Sequence, residues 1–345
     1  LRLAACATVL ALVTACGGGG GGGGDIAAAA PPPSGGGGGI GGTGLTSSGT
    51  ISGTGSIFVN GVRFDVDEAE ITVNGESAGE SDLGLGMVVT VTGTVEDDGA
   101  NGTAERVVFE AELKGPVDSL EANADGTTLQ LTILGRRVIA ERTGTVFEDV
   151  SFDTLAVGDV VEVSGYEEAD GRLRATRIDR DDDFLPGQGT VTLKGVVSGL
   201  SGSAFFLGDR AVDAGNATLE DLPGDALANG QRVEVRGTLE GGTLVAQRVS
   251  GEDDPGAPFT AGEAARVEGA ITGYVDDGSF SVGGVPVDAS GAAREPAGLD
   301  LRDGAVVEID GSWDGSALVA DRIRARRGRI KLEAAVTAVD AAAGT

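Results

Sequence analysis

The sequence has 345 residues and a formal charge of −29, because 54 acidic side chains outnumber 25 basic ones. This charge opposes contact with a phosphate backbone, and aromatic residues, at 4% of the chain, offer few stacking platforms, so we expect no nucleic-acid partner. The sequence contains no histidine, which excludes Ser-His-Asp, Cys-His and histidine–metal chemistry.

Residues 1–16 have the pattern of a secretory signal peptide, with an apolar run at residues 3–12 that is short for a membrane span. The run ends in Val-Thr-Ala before Cys16 and resembles a bacterial lipobox. The resemblance implies cleavage before Cys16 and acylation of its thiol and new amine, and Gly17 then favours the outer membrane. The alternative is an ordinary signal cut after Ala15, which would leave Cys16 as a free thiol.

Residues 17–47 are dominated by glycine, alanine and proline. No apolar pattern in this segment could offset the entropy of ordering it, so we predict a disordered, flexible tether. A phosphate-binding glycine loop would need a helix N-terminus after it, and the pattern predicts none.

After the tether, the stretch Gly-x-x-Val-x-Val/Ile-x-Gly occurs four times. The copies begin at Gly86, Gly158, Gly230 and Gly304, which are 72, 72 and 74 residues apart. Valine alternating with polar residues indicates a half-buried strand, and the flanking glycines suit tight turns or bulges. The chain is therefore built from a repeated module.

Each copy is followed by Ala-x-Arg-Val or Ala-x-Arg-Ile, and acidic or glycine turns between the two elements predict a hairpin. An opening strand, aligned at Gly115, Gly195 and Gly269, precedes a middle hairpin in each module. Five short strands in about 65 residues can close into one small barrel, which also removes exposed edges. A small sandwich is the alternative.

We therefore predict an all-β chain: a tandem array of four small, five-stranded OB-like barrels behind the tether. The predicted segments are the four modules at residues 48–112, 113–183, 190–251 and 264–327, and the first strand of a truncated fifth module at residues 328–345. The joint between modules 1 and 2 is nearly absent, so these two are expected to form the most rigid pair.

A lipobox, a glycine tether and tandem modules with these two motifs resemble the bacterial domain-of-unknown-function 5666 family. The resemblance covers nearly all of the chain after residue 48 and implies small OB-like barrels in an exported protein. The family has no established activity, so no catalytic residue, cofactor or metal is implied. Module 1 departs most, with Thr90 where the later copies have Glu162, Glu234 and Glu308.

Two acidic joints, at 181–183 and 252–254, are candidates for Ca²⁺, which prefers oxygen ligands. Neither has Asp-x-Asp-x-Asp-Gly spacing, so solvated, self-repelling linkers are favoured. Trp313 is interpreted as covering a hairpin, and the basic run 322–329 as an interdomain stretch balanced by acids. The repeated arginines are interpreted as barrel-mouth ion pairs or covers over apolar edges: Arg106, Arg177, Arg248 and Arg322.

These features favour a non-enzymatic lipoprotein, anchored through Cys16 in the bacterial cell envelope, that acts as a structural or binding arm. Its expected partners are the membrane, through the N-terminal lipid, and an envelope protein or glycan; no cofactor is expected. The alternatives are a Ca²⁺-dependent adhesin or glycan-binding protein and, last, a carboxylate-dependent hydrolase.

Overall fold

The computed structural model describes residues 43–252 and 259–325. These residues are strands and turns, apart from two single-turn 3-10 helices at Glu80–Asp82 and Pro223–Asp225, and the predicted all-β class is confirmed. Within them, no helix has the length and hydropathy of a transmembrane span. The predicted signal peptide, most of the tether and the fifth-module strand lie outside the described residues.

Module 1 contains seven strands and module 2 contains six. Module 1 comprises β1 (Thr43–Thr50), β2 (Ile57–Val59), β3 (Val62–Asp65), β4 (Glu70–Val73), β5 (Glu76–Ala78), β6 (Val88–Val95) and β7 (Asn101–Phe109). Module 2 comprises β8 (Leu113–Ala122), β9 (Thr128–Ile133), β10 (Arg136–Glu141), β11 (Val146–Glu148), β12 (Val160–Glu167) and β13 (Leu173–Arg180). Strand β1 begins inside the segment predicted as tether, because Leu45 is buried there.

Modules 3 and 4 repeat the strand order of module 2. Module 3 comprises β14 (Val191–Ser201), β15 (Ala204–Leu207), β16 (Arg210–Asp213), β17 (Thr218–Glu220), β18 (Arg232–Glu240) and β19 (Thr243–Gly251). Module 4 comprises β20 (Ala264–Asp276), β21 (Ser279–Val282), β22 (Val285–Asp288), β23 (Ala293–Glu295), β24 (Val306–Trp313) and β25 (Leu318–Ala325).

Strand pairing closes each module into a five-stranded barrel, as predicted. In module 2 the circuit runs β8–β9–β10–β13–β12 and back to β8. Modules 3 and 4 close in the same order, and module 1 closes through an isolated bridge between Ile51 and Val59. A short strand beside each circuit, namely β4, β11, β17 or β23, pairs in parallel with the last strand of its module.

The repeated Gly-x-x-Val-x-Val-x-Gly stretch forms the circuit strand that is fourth in chain order, namely β6, β12, β18 or β24. Val161 and Val163 point into the barrel of module 2 and are fully buried, which explains the alternation in the sequence. The second glycine lies at a β-bulge, where the register shifts between Ser164 and Gly165. A Cβ atom at Gly165 would lie 2.2 Å from the carbonyl oxygen of Arg174, so this position requires glycine.

The barrels are joined in pairs by their opening strands. Strand β1 pairs in parallel with β20 from Leu45–Ala264 to Ser48–Val267, and β8 pairs antiparallel with β14 at Thr192–Lys114 and Leu193–Leu113. The apolar core runs continuously through modules 2 and 3, whereas modules 1 and 4 have a cluster each.

Modules 1 and 2, which were expected to form the most rigid pair, lie in different sheets in the described residues, and their rigidity stays a prediction. Continuous sheets join module 1 to module 4 and module 2 to module 3, because the opening strands present the free edges. Modules 1 and 2 contact each other through hydrogen bonds instead: Thr176 Oγ1 donates to Gly86 O at 2.6 Å, and Val88 N donates to Ser164 Oγ at 2.8 Å.

Candidate functional site

The four repeated arginines each form an ion pair with a glutamate on or beside the short strand of their module. Arg106 lies 4.0 Å from Glu70, Arg177 2.5 Å from Glu148, Arg248 3.8 Å from Glu220 and Arg322 3.3 Å from Glu295. The interpretation as ion pairs at the barrel edge agrees with this geometry. Arg177 also donates to the carbonyl oxygen of Leu85 in module 1 at 3.2 Å, so one of the four links two modules.

The other candidates from the sequence are separated in space. Trp313 is buried against Phe259, with ring centroids 5.5 Å apart, and Arg324 pairs with Glu308 at 2.5 Å. Cys16 and most of the basic run after Arg324 lie outside the described residues.

The acidic joints behave differently from each other. Asp181 pairs with Lys114 at 2.7 Å and is partly exposed. Glu252 was expected in a solvated linker, but it is largely buried and lies 2.6 Å from Lys194 Nζ. That expectation is wrong for Glu252, because the residue directly follows β19 and lies beside the buried lysine of module 3.

A cleft of about 740 Å³ opens where the four modules meet. Module 4 lines it with glycines at 273, 283 and 284, and module 1 with Ser48, Val88 and Thr90. Its charged lining consists of six glutamates and one arginine: Glu110, Glu112, Glu167, Glu168, Glu252, Glu268 and Arg232. The cleft is therefore acidic and belongs to no single module.

Lys194 lies next to the cleft, because it pairs with two of the glutamates that line it. Together with the surrounding carboxylates of modules 1 and 3 it forms a set that we name the junction cluster: Lys194, Glu110, Glu112, Glu234 and Glu252. The Lys194 side chain is only 7% exposed. Its Nζ lies 2.6 Å from Glu252, 3.7 Å from Glu110 of module 1 and 3.8 Å from Glu234. Arg136 of module 2 donates to the Lys194 carbonyl oxygen at 3.1 Å. The cluster therefore ties three modules together.

The junction cluster contains one cation, the Lys194 ammonium, and four carboxylates. Burial opposes the charge of Lys194, but the four surrounding carboxylates outweigh it and raise the pKa of the ammonium, so it stays protonated. Burial raises the pKa of Glu252, and Lys194 opposes that rise only in part. One ammonium shared by several carboxylates explains both directions.

Carboxylate oxygens of Glu110, Glu234 and Glu252 lie within 4.8 Å of one another, a spacing that could hold a metal ion. The ammonium of Lys194 is already within 3.8 Å of all three. A divalent cation would have to displace a charged, buried lysine, so the geometry does not favour a Ca²⁺ site here.

Two further glutamates of the cleft are neutralised by arginines. Glu167 accepts from Arg136 at 2.7 Å and from Arg232 at 2.9 Å, which joins modules 2 and 3. Burial raises the pKa of Glu167, but the two guanidinium groups outweigh burial and lower it. Glu168 accepts from Arg174 at 2.9 Å and pairs with Arg172 at 2.9 Å.

Three buried polar side chains from three modules meet at the cleft: Thr50, Tyr166 and Glu268, which we name the latch. Glu268 Oε1 lies 2.9 Å from Thr50 Oγ1 and 3.0 Å from Tyr166 Oη, and the two hydroxyl oxygens are 2.6 Å apart. Glu268 is only 2% exposed. The latch connects module 4 to modules 1 and 2.

Sequence analysis missed Lys194 and Glu268, although both stand directly before the aligned glycine of an opening strand. In modules 2 and 3 this position is lysine, opposite a glutamate on the neighbouring strand: Lys114–Glu162 and Lys194–Glu234. In module 4 it is Glu268, opposite Glu308. Like charges directly opposite each other are destabilising in a sheet. The glutamate at 268, where modules 2 and 3 have lysine, was therefore the feature of the sequence that could have indicated a special role for this position.

Two solved structures show low similarity to the chain. One, described as "drosophila Unr CSD456", has 15% identity, and the alignment covers 63% of this chain and 98% of that chain with a TM-score of 0.16. The other is described as a multidomain protein with nucleic acid binding domains from Streptococcus pneumoniae TIGR4, with 11% identity, coverage of 61% and 71%, and a TM-score of 0.15.

The exclusion of nucleic acid as a partner, drawn from composition, is corrected, because one similar structure is described by its nucleic acid binding domains. The exclusion is withdrawn. TM-scores of 0.16 and 0.15 are too low to argue for a nucleic-acid ligand of this chain.

No curated protein matches the chain at a significant level. The family described as "Domain of unknown function (DUF5666)" matches residues 114–179, 194–250 and 268–324, which fall in modules 2, 3 and 4 and make up more than half of the sequence. The chain therefore belongs to the DUF5666 family and carries its domain in tandem.

Proposed function

We propose that this protein is a non-enzymatic, lipid-anchored component of the bacterial cell envelope whose four modules form one compact binding head. Cys16, placed at the end of an apolar leader, supports the anchor, and Gly17 supports the outer membrane as its location. Two or more acyl chains give stable attachment where one would not.

The cleft between the modules is the observation that carries the binding role. All four modules contribute to its walls, so a ligand bound there would contact the whole head. Arginines or a lysine pair with Glu167, Glu168 and Glu252, but Glu110 and Glu112 add further negative charge to the lining, and the chain as a whole is acidic. Such negative charge attracts cationic groups, and we propose a basic segment of an envelope protein as the ligand.

Ion pairing of the carboxylates favours binding over catalysis. A carboxylate-dependent hydrolase needs a carboxyl group that exchanges a proton with its substrate. Glu167 and Glu168 are instead held by two arginines each, and Glu252 by Lys194. The same Lys194 contact disfavours the Ca²⁺-dependent adhesin.

The anchor is tested by expressing the chain and its Cys16→Ala variant in a bacterium and separating membrane from soluble fractions. We expect the unaltered protein in the outer-membrane fraction with a diacylglyceryl mass increment on Cys16, and the variant in the soluble fraction. Equal soluble fractions, or an unmodified N-terminus on the exported protein, would refute the anchor.

The binding role is tested by calorimetry with a lysine-rich peptide and a glutamate-rich peptide of the same length. We expect the basic peptide alone to bind, with an affinity that falls as salt rises. The double variant Glu110→Gln, Glu112→Gln should weaken binding, whereas the matched variant Glu96→Gln, Asp97→Asn, on an exposed turn outside the cleft, should not. Equal effects of the two double variants would show that net charge, and not the cleft, attracts the peptide.

A further inference from the structure

Module 4 is attached to the other modules differently from the way modules 2 and 3 are attached to each other. The cores of modules 2 and 3 form one apolar cluster, whereas module 4 has its own, centred on residues such as Ile309 and Trp313. Continuous apolar packing therefore resists separation of modules 2 and 3, and module 4 is held across its border by a different set of contacts.

Those contacts are a short strand pairing and polar side chains. Four residue pairs, from Leu45–Ala264 to Ser48–Val267, join β1 to β20. The latch lies just beyond the last pair, because Thr50 is two residues after Ser48 and Glu268 is one residue after Val267. Arg266 adds a donation to the carbonyl oxygen of Asn60 in module 1 at 3.3 Å.

Within module 4, Glu268 lies opposite a residue of like charge, which is destabilising in a sheet. Its register partner on β24 is Glu308, whereas modules 2 and 3 pair a lysine at this position with a glutamate, as Lys114–Glu162 and Lys194–Glu234. Arg324 neutralises Glu308 from the other side at 2.5 Å. A lysine at 268 would suit the barrel of module 4 better, so the glutamate serves the contact with Thr50 and Tyr166.

We infer that module 4 is a movable wall of the cleft, that the four residue pairs of β1–β20 are the sheet contact that opens when it moves, and that Thr50, Tyr166 and Glu268 form the latch that keeps these pairs closed. Both Tyr166 and Glu268 line the cleft, so release of the latch widens the same space in which a ligand would bind. The inference concerns the movement of module 4 and holds whether or not Cys16 is acylated.

The full chain provides a direct test through the variant Glu268→Lys. Trp313 is the single tryptophan and lies in the core of module 4, so its fluorescence reports the fold of that module, whereas far-ultraviolet circular dichroism reports all modules. We expect the two urea midpoints to coincide in the unaltered protein and to separate in the variant. Hydrogen exchange should speed up at least tenfold at the amides that pair β1 with β20, while β24 and β25 stay protected.

Two conservative variants make the result specific. Glu268→Gln keeps an oxygen acceptor for both hydroxyls and should leave module 4 docked, and Tyr166→Phe keeps the ring and should loosen module 4 in the same direction as Glu268→Lys. The latch is refuted if Glu268→Lys leaves β1–β20 exchange unchanged, if Glu268→Gln loosens module 4 equally, or if β24 loses protection as well. The last outcome would mean that Glu268 supports only the fold of its own module.

Discussion

Lys194 Nζ lies 2.6 Å from Glu252 Oε1, at the point where modules 1, 2 and 3 meet. The lysine comes from the opening strand of module 3 and the glutamate from the residue after its last strand. Glu110 and Glu112 approach from module 1, so one buried ammonium balances carboxylates from two barrels. We therefore expect the packing of the modules against each other to depend on the buried ammonium of Lys194, which is not part of the apolar core of any barrel.

Replacement of Lys194 by methionine tests this dependence. The change leaves Glu234 and Glu252 buried without their cation, and breaking a buried ion pair costs about 3–5 kcal/mol. Lys114→Met at the equivalent position of module 2 is the control; its side chain is 27% exposed, so we expect a loss of about 1 kcal/mol. Urea unfolding followed by circular dichroism measures both, and equal losses would contradict a special role for Lys194.

The raised pKa of Glu162 predicts that the stability of the protein depends on pH. Asn74 Nδ2 of module 1 donates to its Oε2 at 2.9 Å, and burial raises the pKa of Glu162, although Lys114 and Arg177 oppose the rise. In the unfolded chain, Glu162 releases its proton near about pH 4.3, whereas in the folded protein it keeps the proton up to a higher pH. Between these two pKa values the folded state binds more protons than the unfolded state, so the free energy of unfolding falls as pH rises.

Glu162→Gln removes this titration and keeps an oxygen acceptor for Asn74. We therefore expect the variant to gain stability relative to the unaltered protein between pH 4.5 and pH 7.5, as measured by urea midpoints at both pH values. A difference that stays constant with pH would show that Glu162 titrates as it does in the unfolded chain.

The repeated arginines should differ in their contribution to stability although they occupy one repeat position. Arg177 is 5% exposed and pairs with Glu148 and Asp179, whereas Arg106 is 57% exposed and 4.0 Å from Glu70. We expect Arg177→Ala to cost about 3–5 kcal/mol and Arg106→Ala less than about 1 kcal/mol. Thermal and urea unfolding would measure both variants, and the prediction fails if Arg106→Ala costs as much.

The second glycine of the repeated stretch should not tolerate a side chain. A Cβ at Gly311 would lie 2.1 Å from the carbonyl oxygen of Val319, so the bulge between β24 and β25 must shift. We expect Gly311→Ala to destabilise module 4 by about 1–3 kcal/mol, seen as a lower urea midpoint of Trp313 fluorescence. Gly291 has open space at its Cβ, and Gly291→Ala should stay within about 0.5 kcal/mol.

The barrels could be predicted because their signals are local. Alternation such as Val161 and Val163 repeats every module, and the glycine at 165 marks a bulge within the same strand. The ion pairs of the repeated arginines could be predicted for the same reason, since each partner lies in the same module.

The arrangement of the barrels could not be predicted from these patterns. Tyr166 and Glu268 are 102 residues apart in sequence, and their contact exists only because module 4 packs against modules 1 and 2. A short joint limits the distance between modules 1 and 2, but it does not decide which opening strands pair. That choice depends on the edge hydrogen bonds and on the buried charges at Lys194 and Glu268.

Small-angle scattering from residues 43–325 tests the central claim most directly, namely that four barrels form one head through β1–β20 and β8–β14. One module of about 65 residues has a radius of gyration of about 11 Å, so four packed together should give about 20–25 Å and four in a row more than about 30 Å. We predict the smaller value. A value above about 30 Å, with the profile of a rod, would contradict the account.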